Sequence, residues 1–487
     1  FISWQESAGR RRIKTITNCR ENEERGEISM QRIVVIGGVA AGLKAAAKAR
    51  RRDGEAQITV LERGELVSYG ACGLPYFIGG EVEQVRQLMS SPSGTLRTPE
   101  FFKKAKNVDV LTRMEAVEID REAKIVTAVN LESGAKQQFV YDKLVLATGA
   151  SPLKPSWPGV ELENIFHVWR PQDAIAIRRG LEEQKYEKAV VIGAGLIGME
   201  MAEALRMWDV DVTVVEMKNQ LFPALLDEDM AQELEARLAT KGLQFLKEEK
   251  VEAFGGEAQV REVKTDKRTL TADLVILALG AKPNVELARQ AGLEIGVSGA
   301  IAVNEFLQTS DAAVFAGGDC AENTHKVSGE KVFLPMGSTA NKHGRIIGEN
   351  LCGASVKFKG VLGTAVVKLF DLQVGRVGLS ERQGTAAGFD CVSVTVSGYD
   401  RPHYMKASRL MLLKLTADAT SRKLLGLQAL GEGEVVKRVD VAAMAFSLGA
   451  TVDELFDADL AYAPPFNSPI DMLAVAATKL ADRLGKA

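Results

Sequence analysis

Arg32-Ile33-Val34-Val35-Ile36-Gly37-Gly38-Val39-Ala40-Ala41-Gly42 reads as a buried parallel strand, a tight glycine turn and the opening of an alanine-rich helix. A second strand, Ile58-Thr59-Val60-Leu61, ends on Glu62, about 20 positions after the glycine turn. That order has a physical logic. The first glycine lets the chain turn tightly, the helix N-terminus offers free N–H groups to a pyrophosphate, and the carboxylate accepts from ribose hydroxyls. Val39 stands where the second glycine of such a loop is expected.

The same grammar returns downstream. Ala189-Val190-Val191-Ile192 is followed by Gly193-Ala194-Gly195-Leu196-Ile197-Gly198, a helix, and a strand over 211–215 that ends on Glu216. Glycines that serve only close helix–strand packing are the plainer reading, and the carboxylate closing each copy argues against it. Two shorter echoes, Leu144-Val145-Leu146-Ala147-Thr148-Gly149 and Leu274-Val275-Ile276-Leu277-Ala278-Leu279-Gly280, read as strands ending in glycine where each unit closes. The chain is therefore expected to be α/β, with two Rossmann-like dinucleotide-binding domains. Glu216 repels a 2′-phosphate, and Met217-Lys218 offers one cation to offset it, so NADH is favoured over NADPH.

At about 150 residues per domain, 487 residues predict roughly three domains. The Pro-rich connection from Ser151-Pro152 to Pro158-Gly159 is a natural boundary. The expected plan is a first, discontinuous domain over 30–150 and 281–353, a second over 151–280, and an α+β domain over 354–487. In the last, Cys391-Val392-Ser393-Val394-Thr395-Val396 and 410–415 alternate like strands, and 435–448 and 473–484 read as helices. Residues 1–29 carry Arg10-Arg11-Arg12 but no apolar stretch, so they are expected to be a disordered or appended tail rather than a secretory signal.

The balance of 61 Lys+Arg against 64 Asp+Glu argues against nucleic-acid or anionic-membrane partners. No apolar run approaches the ~18–20 residues of a spanning helix. Five cysteines (Cys19, Cys72, Cys320, Cys352, Cys391) are odd in number and never spaced C-x-x-C, which argues against a metal site or a disulfide framework and fits a reducing, cytoplasmic compartment.

Two dinucleotides in one chain imply an electron relay, with a nicotinamide passing hydride and a flavin passing electrons onward to a thiol. Thr309-Ser310-Asp311-Ala312-Ala313-Val314-Phe315-Ala316-Gly317-Gly318-Asp319 fits a second flavin contact, with Asp319 able to accept from ribityl hydroxyls; in isolation Gly317-Gly318-Asp319 is an ordinary turn. Ser68-Tyr69-Gly70-Ala71-Cys72-Gly73-Leu74-Pro75-Tyr76 follows the Glu62 strand. A lone cysteine is more often a structural thiol than a nucleophile, but here it lies where the chain should pass a flavin, at a helix start whose N–H groups would favour its thiolate.

Over nearly its whole length from Met30 the sequence resembles the single-cysteine branch of the pyridine nucleotide–disulfide oxidoreductases, especially the coenzyme A disulfide reductases and their persulfide-reducing relatives. The carrying motifs are the two glycine loops, the Cys72 segment, Tyr141-Asp142-Lys143 with the strand and glycine that follow, residues 309–319, and Ala461-Tyr462-Ala463-Pro464-Pro465. The resemblance implies FAD and NADH as cofactors, with contacts from Gly37, Val39, Ala40, Gly42, Glu62, Arg63, Ser68, Thr148, Gly149, Gly280, Asp319 and Ala340, and from Gly193, Gly195, Ile197, Gly198, Glu200 and Glu216. It implies Cys72 as the redox cysteine, able to hold coenzyme A as a mixed disulfide, and a homodimer whose partner subunit supplies Tyr404 and Tyr462. It also places Arg50, Arg51 and Lys106 near a coenzyme A entrance, although cations at a helix end are equally what the helix dipole favours.

The related NADH peroxidases and oxidases carry a histidine at the position of Ala40, and no histidine occurs between Met30 and Phe166. The two-cysteine reductases use a His–Glu pair near the C-terminus, and none follows His403. Ala71 replaces an asparagine common in the family, and Met405-Lys406-Ala407 replaces Tyr-Pro-Gly. Many persulfide-reducing relatives append a rhodanese domain, for which this sequence leaves no length. The expected activity is reduction of coenzyme A disulfide or a related small disulfide. The alternatives are persulfide or polysulfide reduction, an NADH oxidase or peroxidase, and a non-catalytic flavoprotein redox sensor.

Overall fold

In the computed structural model, which describes residues 30–485, two five-stranded parallel sheets follow one plan. The first runs Val314–Ala316, Lys143–Leu146, Arg32–Ile36, Gln57–Leu61, Asp109–Leu111. The second runs Ile165–Phe166, Leu274–Leu277, Lys188–Ile192, Asp211–Glu216, Leu243–Lys247. All pairings within both sheets are parallel. Ile33 to Ile36 and Ala189 to Ile192 are buried, as expected of central strands covered on both faces. Each unit also carries a three-stranded antiparallel meander, 114–140 in the first and 251–271 in the second. The tail of residues 1–29 lies outside the described residues.

The edge strands differ. Ile165–Phe166 precedes its own sheet in the chain, whereas Val314–Ala316 joins the first sheet only after the second is complete. The chain leaves and returns through one antiparallel ribbon, Ala150–Pro152 against Ala281–Pro283. Asn284 locks that ribbon: its Nδ2 donates to Thr148 O at 2.8 Å, and its carbonyl accepts from Thr148 Oγ1 at 2.7 Å. After the return, helix Gly337–Asn350 lies against helix Ala41–Arg52 with the backbones nearly touching. A Cβ on Gly344 would stand 2.4 Å from Ala41 O, and one on Gly348 2.6 Å from Ala45 O.

Residues beyond 364 form a five-stranded antiparallel sheet ordered Ala365–Leu369, Leu372–Gly378, Leu424–Gly431, Leu410–Asp418, Cys391–Tyr399. Helices Val435–Leu448 and Met472–Leu484 pack on it through Val439, Phe446, Leu473 and Leu480, against Val377, Leu413 and Leu427. Each such side chain contributes about 1.5–3 kcal/mol on burial. A buried polar seam joins this sheet to the second unit. Arg376 donates to Ala224 O at 2.7 Å, and Lys414 Nζ lies 3.3 Å from Asp227 and 3.0 Å from both Asp229 and Glu381. Among the described residues no helix is long and apolar enough to cross a membrane.

Candidate active site

The two glycine loops are shaped by the chain's own backbone. Gly37 has φ +112°, and a Cβ there would lie 2.1 Å from Ala147 O; at Gly193, with φ +104°, the clash is with Ala278 O at 2.4 Å. A Cβ on Gly42 would meet Gly37 O at 2.0 Å, and one on Gly198 would meet Gly193 O at 1.9 Å. Gly195 is different, because nothing lies within 4 Å of the Cβ it lacks. Its missing side chain serves no contact within the protein and leaves room for a ligand above the helix. In the first loop this place is held by half-buried Val39.

Helices Ala41–Arg52 and Leu196–Arg206 both begin there, and neither N-cap residue, Ala40 or Gly195, caps with its side chain. Their first N–H groups remain available to phosphate oxygens. Glu62 accepts from Gly38 N at 2.6 Å and Gly64 N at 2.7 Å, and Glu216 accepts from Ala194 N and Lys218 N, both at 2.8 Å. Each carboxylate is thus held rigidly beside its loop, with lone pairs left for ribose hydroxyls. Arg63 beside Glu62 is exposed, and Ser68, with φ +53°, donates its N–H to Gly38 O at 3.0 Å. Ile197 is likewise exposed, while Gly149 and Gly280 take positive φ at the two ends of the ribbon.

Asp319 follows the Gly317-Gly318 turn, where Gly318 has φ +79° and packs against Ala41 and Ala340. Its carboxylate makes no hydrogen bond among the described residues, and burial raises its pKa. A desolvated acceptor between two helix N-termini fits the hydroxyls of a flavin side chain. Beneath it lies His343, a residue that the sequence reading missed. His343 is fully buried, its Nδ1 accepts from Gly318 N at 3.2 Å, and burial lowers its pKa to about 4. The loops, carboxylates and free N–H groups therefore fit two dinucleotides.

Cys72 sits in the short turn Ala71–Gly73, ahead of helix Leu74–Gly79. Of the four cysteines among the described residues it alone is exposed. Its Sγ lies 3.8 Å from where a Cβ on Gly337 would stand, so it faces the start of the Gly337–Asn350 helix. The sequence reading expected N–H groups to favour the thiolate; the Cys72 backbone N–H does so, but opposing effects outweigh it. Burial pushes the thiol up, followed by the charges of Glu200 and Asp319, and the Cys72 backbone N–H only partly offsets them. Glu200 comes from helix Leu196–Arg206 of the second unit and accepts from Tyr76 Oη at 3.3 Å. Burial raises the Glu200 carboxyl to about 7 and the Tyr76 phenol to about 12.

Tyr404 and Tyr462 lie on the surface of the C-terminal unit, 64% and 50% exposed, and Phe466 and Ile470, which follow Tyr462 in the chain, are exposed too. Among the described residues neither hydroxyl is hydrogen-bonded, and no hydrogen bond or ring contact joins either to Cys72. Their segments share an anchor that the sequence reading missed. Fully buried Arg438 donates to Asp400 O at 2.8 Å and Asn467 Oδ1 at 2.9 Å, and pairs with Asp471 at 2.9 Å. Asn467 in turn donates to Ala461 O at 3.2 Å, and Arg401 donates to Pro465 O at 2.7 Å. The tyrosine loops are therefore held in fixed relation to each other.

Of the three cations placed at a coenzyme A entrance, Arg50 is already engaged. Its guanidinium donates to the carbonyls of Asp53 (3.3 Å) and Asn107 (2.9 Å) and to those of Gly54 and Ala56. That is the helix-end role the dipole favours. Arg51 is exposed and Lys106 half-buried, and neither has a hydrogen-bond or ion-pair partner among the described residues.

Comparison with known proteins agrees with this geometry. Residues 31–343 match the profile described as pyridine nucleotide-disulphide oxidoreductase, and residues 364–474 match that of the corresponding dimerisation domain. The NAD(P)H coenzyme A polysulfide/persulfide reductase of Pyrococcus horikoshii is 38% identical over 455 residues, covering 93% of this chain and 99% of that protein. The coenzyme A disulfide reductase of Staphylococcus haemolyticus is 30% identical over 456 residues, 93% of this chain and 100% of that one. Among solved structures, a NAD-dependent persulfide reductase from A. fulgidus superposes with a TM-score of 0.90 at 44% identity, covering 92% of this chain and 83% of that chain.

Proposed function

Because the chain belongs to the pyridine nucleotide-disulphide oxidoreductase family, we propose that it is a homodimeric, FAD-dependent enzyme that uses NADH to reduce coenzyme A disulfide or a related small disulfide through Cys72 alone. The observation that carries this reading is the setting of Cys72. The one exposed cysteine among the described residues faces the start of helix Gly337–Asn350 of the first unit, and Tyr76 on the helix that follows it donates to Glu200 of the second. The higher identity to persulfide reductases than to the coenzyme A disulfide reductase supports a second substrate reading, a coenzyme A persulfide or polysulfide, which uses the same residues.

Gly37, Gly42 and Glu62, with Asp319, would hold FAD, and Gly193, Gly195, Gly198 and Glu216 would hold NADH. When bound, these groups supply the two electrons that return Cys72 to its thiolate. That thiolate attacks one sulfur of the substrate disulfide, a Cys72–sulfur bond forms as the sulfur–sulfur bond breaks, and coenzyme A stays on Cys72 as a mixed disulfide. The departing thiolate takes its proton from Tyr462 of the partner subunit, with Tyr404 of the partner subunit beside it. Arg51 and Lys106 are the cations left open for the substrate's phosphates. The cysteine usage suits a cytoplasmic setting.

The test is NADH oxidation by FAD-loaded protein over a panel of disulfides and persulfides. Turnover with a coenzyme A species above the other thiols is expected, and NADH consumption that no sulfur compound stimulates would defeat the proposal. Cofactor choice is a separate expectation. Glu216 is buried and clamped by two N–H groups, so it cannot swing away from a 2′-phosphate. A kcat/KM for NADH roughly tenfold or more above that for NADPH is expected, and a clear NADPH preference would refute that step.

A further inference from the structure

The turn that carries Asp319 is tied down on two sides. Gly317 N donates to Leu146 O of the first sheet at 3.0 Å, and the buried Gly318 N–H donates to His343 Nδ1 at 3.2 Å. Gly317 also lies hard against helix Gly337–Asn350: a Cβ there would stand 2.6 Å from Ile347 Cδ1 and 3.1 Å from His343 Cβ. The imidazole is steadied in turn by Phe358, edge to face with ring centroids 4.3 Å apart.

Histidine is a costly residue for this place. A ring nitrogen that accepts carries no proton, so the neutral ring has its one hydrogen on Nε2. Nε2 is buried and has no hydrogen-bond partner among the described residues. Leucine would fill much of the same space without leaving a donor unpaired, so what histidine adds is the acceptor at Nδ1. That acceptor falls where the backbone needs one. Two successive glycines leave the chain a wide choice of conformations, and Gly318 takes φ +79°. The carboxylate one residue further on is fixed only if a peptide group of the turn is fixed.

We propose that His343 is a positioning residue for the flavin: by accepting the Gly318 N–H at Nδ1, it holds the Gly317-Gly318 turn so that the Asp319 carboxylate is presented to the ribityl hydroxyls. The proposal rests on reading Asp319 as a flavin contact. It makes His343 act through Gly318 and Asp319, with no contact of its own to the reacting atoms.

The test measures how fast FAD leaves the loaded protein after dilution, read as the rise in free-flavin fluorescence. His343→Leu keeps apolar bulk without an acceptor and should release FAD faster by roughly 5–50-fold, the effect of a buried donor left unpaired. His343→Asn is the rescue, because its Oδ1 stands as many bonds from the backbone as Nδ1 does; release within about threefold of wild type is expected. A packing role would give the reverse order, since asparagine fills less of the space and buries an amide. Asp319→Ala should also speed release, and adding His343→Leu to it should change the rate no further, because the turn then has no carboxylate to present.

Release from His343→Leu no faster than from His343→Asn would overturn the proposal. So would independent, multiplying effects of His343→Leu and Asp319→Ala, which would show that His343 does not act through Asp319. Wild-type release from Asp319→Ala would defeat the flavin reading of Asp319 and this proposal together, whereas wild-type release from His343→Leu beside fast release from Asp319→Ala would defeat this proposal alone. Should His343→Leu fail to fold, His343→Met replaces it, and a His343→Asn protein that sheds FAD at the His343→Met rate would be equally fatal.

Discussion

Cys72→Ser is expected to abolish disulfide turnover, by roughly 10³-fold or more, while leaving flavin reduction by NADH intact. The separation follows from geometry. The two glycine loops, Glu62 and Glu216 make their contacts without Cys72, and serine is close to isosteric, so both cradles should survive the change. A serine hydroxyl ionises far less readily than a thiol and cannot exchange with a disulfide, so it cannot replace the thiolate. Rapid mixing with NADH, followed by steady-state assay with the disulfide, measures the two halves on one sample. Near-wild-type disulfide reduction by Cys72→Ser would remove the cysteine from the chemistry.

Tyr462→Phe should slow disulfide turnover by about 10²–10⁴-fold, the usual worth of a placed general acid, and less for a persulfide whose leaving group needs little help. Flavin reduction should stay fast. Folding should be little affected, because the ring is half exposed and its hydroxyl has no hydrogen bond among the described residues. The loop itself is fixed from below by Arg438, Asn467 and Arg401, none of which uses the Tyr462 hydroxyl. Among the described residues no hydrogen bond or ring contact joins Tyr462 to its own Cys72, and the proposed action is across the dimer. Heterodimers of a Cys72→Ser chain with a Tyr462→Phe chain should therefore regain one site, built from the intact Cys72 of one chain and the intact Tyr462 of the other. Absence of activity above the separate mutants, with heterodimers shown to be present, would refute service to the partner.

The parallel-sheet architecture was legible because its signals are local. A buried apolar run, glycines at fixed offsets and a closing carboxylate lie within one short stretch, and both copies fold as their spacing implies. The C-terminal strands and helices were likewise visible from periodicity, with Cys391–Tyr399 and Leu410–Asp418 extending beyond the stretches first read. Long-range partnerships left no such mark. His343 reads as an unremarkable helical residue until the Gly317-Gly318 turn folds over it. Arg438 looks like a surface cation on an amphipathic helix and is instead 1% exposed. Tyr76 and Glu200 lie far apart in sequence, so nothing local shows that they meet. Arg50 carried two meanings, substrate cation or helix-end clamp, and only the positions of the Gly54, Ala56 and Asn107 carbonyls show how its guanidinium is engaged.

The ribbon through which the chain leaves and re-enters the first sheet also constrains the order of events at the ribosome. The second sheet draws all its strands from 165–277, so it can close as soon as that stretch has emerged. The first sheet must wait for Val314–Ala316 and for helix Gly337–Asn350, whose Phe315 and Ile347 complete the core around Val35 and Leu43. At typical elongation rates that delay is on the order of 4–15 s, during which the earliest-made strands hold an apolar face open. In this chain the sheet begun first is finished after the one nested within it, and a nascent polypeptide halted before Gly337 would carry a complete inner sheet beside an incomplete outer one.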